Sequence, residues 1–186
     1  MCRYAMTSYK PHFACFECRK SFKRRLLRDI NRSQADSLEK VPAKCPECSE
    51  LMADMGMDFK APKKSDLQAW KHLKNLYQVG IVFHSCGCTG PGYVPRDNAE
   101  LIAHFEEIKQ NYLENQRFWA RREKDPVGES EVAKDRHKNF GFLYGIPKNL
   151  KGGTRKAPQY DALQAQVYWS DRVKEVEEKI AFIRNT

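Results

Sequence analysis

Two short cysteine pairs carry the clearest chemistry in the chain, Cys15-Phe16-Glu17-Cys18 and Cys45-Pro46-Glu47-Cys48. A Cys-x-x-Cys turn places two sulfurs on one side of a tight loop. Two such turns supply the four thiolates of a closed tetrahedral zinc site. Pro46 presets the backbone of the second turn. An ion with four protein ligands has no open position for water or substrate, so the expected role is a structural staple and not a catalyst. The competing reading of these residues is a set of buried or redox cysteines.

The two turns resemble the paired knuckles of the zinc-ribbon class, over residues 1–62 only. The resemblance implies one structural Zn2+ held by Cys15, Cys18, Cys45 and Cys48. Many ribbons have glycine directly after the second cysteine of a knuckle, where this chain has Arg19 and Ser49. The long stretch 19–44 between the knuckles implies an inserted loop or helix. Ribbons occur in nucleic-acid-binding proteins, in translation and transcription factors and as plain staples. The resemblance therefore speaks to metal and fold, not to one function.

Cys86 and Cys88 lie beside His84, in the segment His84-Ser85-Cys86-Gly87-Cys88. Three readings are open: a second zinc site completed by His72, His104 or Cys2; a redox thiol pair; or small buried residues in a tight loop bent at Gly87. In a further alternative, Cys45 and Cys48 share an ion with Cys86 and Cys88 and leave Cys15 and Cys18 spare. Met52, Met55 and Met57 read as core residues of a strand.

Lys and Arg number 33 against 24 Asp and Glu, a formal net charge of +9, which favours polyanionic partners. Two segments concentrate that charge. One runs from Arg19 to Arg32, with Arg24, Arg25 and Arg28 as candidate phosphate contacts. The other is the glycine loop 148–156, with Lys148, Lys151, Arg155 and Lys156 around Gly152-Gly153. Phe140, Phe142 and Tyr144 precede it and are able to stack on unpaired bases; the bland reading is an aromatic core segment beside a solvated basic face. The leading expectation is a nucleic-acid-binding protein, RNA before DNA, acting on the ribosome or transcription machinery. The rivals are a thiol redox protein or redox-switched chaperone using Cys86 and Cys88, and a protein–protein adaptor docking through the last helix.

No phosphate-cradling P-loop, H-E-x-x-H or G-x-S-x-G pattern is present, which leans against an enzyme. Residues 1–9 lack the apolar core of a secretory signal, and no run of 18 apolar residues offers a membrane span. Seven cysteines without a signal segment are expected to be reduced thiols or metal ligands, with the cytoplasm as compartment.

The elements positioning these residues follow from the apolar pattern. Residues 12–15 and 21–22 read as strands around the first knuckle, and 51–59 as a return strand after the second. Ser65 with Gln68, and Asp97 with Glu100, read as capping boxes for helices ending at Gly80 and near Lys124. Residues 81–83 read as a buried strand, 129–139 as an exposed loop or short helix. Pro158 reads as the start of a last helix to Arg184, with Leu163, Val167, Val173, Val176, Ile180 and Ile183 facing the core. The expected fold is α+β: a zinc ribbon with a basic insertion over 1–62, packed on a mainly helical part over 63–186 that carries a strand and Gly-Cys loop at 81–95.

Overall fold

A computed structural model describes residues 10–24, 42–84 and 90–186. The fold is α+β, with a strand-rich N-terminal region and a helical C-terminal part. It divides into two compact units, residues 1–101 and 102–186.

In the first unit, β1 (His12–Cys15) is the centre of a three-stranded antiparallel sheet, flanked by β2 (Lys20–Lys23) and β3 (Ala53–Gly56). The β1–β2 hairpin pairs Phe13 with Phe22 and Cys15 with Lys20, so the first knuckle is the turn of that hairpin. A second, smaller hairpin carries the other knuckle. Lys44 bridges Leu51, the Cys45 N–H donates to the Glu50 carbonyl at 2.8 Å, and the Met52 N–H to the Ala43 carbonyl at 2.9 Å. Residues 81–83 do not form the strand expected of them. They lie beside β3, with the Phe83 N–H donating to the Met55 carbonyl at 2.8 Å.

That backbone approach fixes Gly56. Its φ is +86°, and a Cβ there would stand 2.6 Å from the Phe83 carbonyl carbon and oxygen. Gly56→Ala therefore meets both strain and a backbone clash. It is expected to cost about 2 to 3 kcal/mol, read as a fall in the urea midpoint of the cysteine-bearing unit.

Helix α1 (Leu67–Gln78) buries Trp70, Leu73 and Leu76. Its cap is Asp66, whose carboxylate accepts the Ala69 N–H at 3.0 Å, and not the expected Ser65. Helix α2 (Asn98–Ala120) opens on the expected Asp97, which accepts the Glu100 N–H at 2.8 Å. Glu100 reaches back one residue further than a capping box requires, to the Arg96 N–H at 2.9 Å.

In the second unit, α3 (Glu129–Gly145) is a longer helix than the sequence suggests, broken at Asn139 (φ −114°, ψ 20°). Pro158 does not open the last helix. It begins β5 (Pro158–Tyr160), which pairs antiparallel with β4 (Lys151–Gly153) behind a short 3-10 turn at Lys148–Leu150. Helix α4 (Ala162–Arg184) starts later, capped by Asp161, which accepts the Gln164 N–H at 2.9 Å. Its buried stripe is Ala165, Trp169, Val173, Val176, Ile180 and Ile183, spaced by threes and fours. Leu163 and Val167 are exposed, because at 100° per residue they fall on the far side of that stripe. Trp119, Leu143, Ile146, Ala165 and Trp169 form one buried cluster of the unit, and Trp169 packs against Gly145, where a Cβ would lie 3.0 Å from the indole.

One polar network crosses this unit. The Arg122 guanidinium donates twice to Asp135 (2.9 and 3.1 Å) and once to Asp125 (3.0 Å). Asp125 in turn accepts the Tyr160 N–H at 2.8 Å, and Asp135 the Asn139 amide at 2.7 Å.

Candidate metal centre and basic cleft

The two knuckles repeat at an interval that superposes Cys15 on Cys45, Glu17 on Glu47, Cys18 on Cys48 and Arg19 on Ser49. In both, the chain turns left-handed directly after the second cysteine: φ is +50° at Arg19 and +62° at Ser49. These are the places where ribbons often have glycine, so the geometry is kept although the residue type is not. A side chain in that conformation is disfavoured by roughly 1 to 2 kcal/mol, partly offset by glycine's greater freedom when unfolded. Ser49→Gly is accordingly expected to stabilise the knuckle by about 0.5 to 1 kcal/mol, measurable as a higher urea midpoint at fixed metal content.

The hairpins bring the Sγ atoms of Cys15, Cys18, Cys45 and Cys48 within 4.8 Å of one another. Cys15 Sγ and Cys48 Sγ are 3.7 Å apart. A tetrahedron with zinc–sulfur arms of ~2.3 Å has edges of about 3.8 Å, so the donor set fits such an ion. All four thiols are free of disulfides. Cys15 and Cys45 are buried, packed on Ala43 and Met52, whereas Cys48 faces solvent.

The protein supplies N–H donors to the sulfurs. The Cys18 N–H points at Cys15 Sγ, 3.4 Å away. Backbone N–H groups of Cys48 and Glu47 draw the Cys45 thiol down to about 7. Burial pushes the Cys15 thiol up, and Cys18 is raised chiefly by its hydrogen bond with Cys48. Crowded sulfurs resist sharing negative charge among themselves, which is the condition a bound cation relieves.

The glutamate of each knuckle is tied to a lysine. Glu47 pairs with Lys20 of the opposite hairpin, and Glu17 with Lys74 of α1 at 2.8 Å. Both carboxyls are thereby held below the ordinary range. Phe16 also meets Tyr77 of α1, with ring centroids 5.7 Å apart. The first knuckle is thus fastened to a helix as well as to the second knuckle. The equal placement of Glu17 and Glu47 is the signal for these pairs in the sequence; their lysine partners carry none.

His84 lies 3.7 Å from Asp54, both half-exposed. Cys86 and Cys88 lie outside the described residues, as do Cys2, Arg25 and Arg28. His72 has both ring nitrogens engaged, with the Asn98 side-chain oxygen at 3.0 Å and the Pro95 carbonyl at 2.9 Å. Arg24 stands over the Phe13 ring at 5.9 Å.

The glycine loop of the sequence is the β4–β5 hairpin. Gly153 (φ +74°) makes its tight return, with space for no Cβ beside the Ala157 carbonyl. Lys156 is paired with Glu129 at 2.8 Å. The Lys151 ammonium donates to the Tyr144 carbonyl at 3.3 Å and sits 5.3 Å from that residue's ring centroid. Arg155 is exposed, and its carbonyl accepts from Arg136 at 3.2 Å. Of the three aromatics, Phe142 is half-buried and stacks on Phe118 at 4.4 Å. Phe140 and Tyr144 pair with each other at 4.3 Å and stay 58% and 67% exposed.

Compared with protein-family models, curated proteins and solved structures, the chain matches none. Among the described residues, no helix is long and apolar enough to cross a membrane.

Proposed function

We propose that the protein is a zinc-stapled nucleic-acid-binding protein, with RNA the favoured target. Its zinc ribbon holds one structural Zn2+ through Cys15, Cys18, Cys45 and Cys48. The observation that carries the metal reading is the convergence of four sulfurs from two hairpins to tetrahedral spacing. The ion closes the hairpins and does no chemistry on a substrate. The nucleic-acid reading draws support from the excess of cations and from an exposed ring pair, Phe140 and Tyr144, beside the cationic hairpin. Arg24, Arg25 and Arg28 contribute from the basic arm, and Lys151, Arg155 and Lys156 from the hairpin. Lys156 exchanges its exposed Glu129 partner for phosphate at small cost.

Two measurements test the reading. Protein purified without chelator is expected to carry one zinc per chain by elemental analysis; none would remove the ribbon, and two would add His84, Cys86 and Cys88 as ligands. Bound nucleic acid is expected as absorbance at 260 nm that high salt strips, because phosphate contacts release counterions. Salt-insensitive recovery of a protein partner in place of nucleic acid would overturn it.

A further inference from the structure

Resting on the nucleic-acid reading, we propose that the cleft between the second half of α3 and the β4–β5 hairpin holds one unstacked nucleotide of a single strand, with Arg136, Lys148, Lys151 and Arg155 around its phosphates and the Tyr144 ring against its base. Its volume of about 660 Å3 is that of a small-ligand site. No carboxylate lines it, although four cations do. The neighbouring Asp135 is already taken by Arg122. Among the described residues, neither the Lys148 nor the Arg155 side chain has an ion-pair partner.

The floor is apolar, built from Leu143, Ile146 and Pro158, all buried. A cationic rim over an apolar floor suits a ligand that is anionic at one part and flat at another, which is a nucleotide. The rim also carries unrelieved repulsion. Burial and the nearby Lys148 pull the Lys151 ammonium below the ordinary lysine value, a cost that a phosphate would reverse. Arg136 is the addition that sequence reading passes over. It lies in a polar run on α3, far from the glycine loop, and only the fold sets it on the cleft. Its fork is suited to phosphate oxygens.

Binding of a fluorescein-labelled twelve-nucleotide uridine RNA to the full, zinc-loaded chain tests this by anisotropy over a salt series. Arg136→Ala/Arg155→Ala is expected to weaken binding at least tenfold at low salt. It should lower the log–log salt slope by about 1.4, two single-strand contacts of ~0.7 each. Tyr144→Ala should weaken binding roughly 5- to 100-fold with the slope unchanged, and Tyr144→Phe should restore it. Tyr144 and Arg155 are exposed, so Tyr144→Ala and Arg155→Ala are expected to keep the wild-type unfolding midpoint. Arg136 is half-buried and bonds the Arg155 carbonyl, so the midpoint of the double variant is measured alongside. Arg155→Ala alone, expected to lower the slope by about 0.7, controls for any loosening. If wild type binds and these variants bind equally well, the cleft assignment falls while the broader reading stands. If free uridine monophosphate competes as tightly as the strand, the site is a mononucleotide site and the strand assignment is wrong. If wild type binds no RNA at any salt, both fall.

Discussion

Serine in place of Cys45 is expected to abolish the zinc binding proposed for the four cysteines and, with it, the fold of the two cysteine hairpins. The strands here are four residues long or shorter, and hairpins of that size are marginal by themselves. The buried apolar cluster at the knuckles is Cys15, Ala43, Cys45 and Met52, with Phe13 and Cys18 beside it, and the strands add only Ala14, Ala53 and Met55. Structural zinc contributes about 10 to 16 kcal/mol in comparable small modules at neutral pH, far more than this cluster supplies by burial. Losing a ligand that is only 2% exposed leaves no route for water to replace it. Cys48 is exposed, so Cys48→Ser leaves a position that water can fill, and its loss of zinc affinity should be the smaller of the two. Hydrogen exchange on the Cys45→Ser protein is expected to show protection lost over residues 12–23 and 43–56, with α3 and α4 still protected. Unchanged protection in the hairpins, with zinc absent, would show that the ion is not the staple.

How far the sequence carries depends on the range of the interaction. The knuckles are legible because their chemistry is local: two cysteines on one turn, and a turn that repeats. Asp97 is legible as a cap for the same reason, since cap and capped N–H are three residues apart. Pro158 misleads because proline suits both the first turn of a helix and an edge strand. The hairpin return at Gly153 decides for the strand, and Asp161 then caps the helix four residues later than expected. Leu163 and Val167 read as core by residue type, but the phase of α4 is set by Trp169 against Gly145, which no local pattern announces. The cleft cation Arg136 and the pairing of Glu17 with Lys74 join residues far apart in the chain, and become visible only in the fold.

Arg122→Met is the second change expected to be severe, and its reason is of that long-range kind. The Arg122 side chain is 8% exposed and stands over the rings of Tyr160, Trp119 and Phe118 at 5.0, 5.7 and 5.8 Å. Methionine fills much of the space but leaves the Asp135 and Asp125 carboxylates half-desolvated with their main partner gone. Breaking a buried pair from one side costs about 3 kcal/mol or more, and for a unit of this size that lowers the melting temperature by more than about 10 °C. Removing the second charge as well, in Arg122→Met/Asp135→Leu, should recover part of the loss, since the uncompensated carboxylate is its main source. The pH dependence carries a sign. Burial alone would raise the Asp135 carboxyl, but the bonds from Arg122 and Asn139 outweigh it and hold the group below its usual range. A depressed carboxyl contributes stability fully above its unfolded value, near 4, and loses it as pH falls through the folded one. Wild type should therefore weaken on acidification below about pH 4, and Arg122→Met should show a shallower acid limb. Equal melting temperatures for wild type and Arg122→Met would make the network idle. Because Asp125 bonds the Tyr160 N–H of β5, the same substitution should loosen the hairpin that walls the cleft. If the proposed nucleotide site is right, RNA affinity should then fall although no cleft residue has been changed.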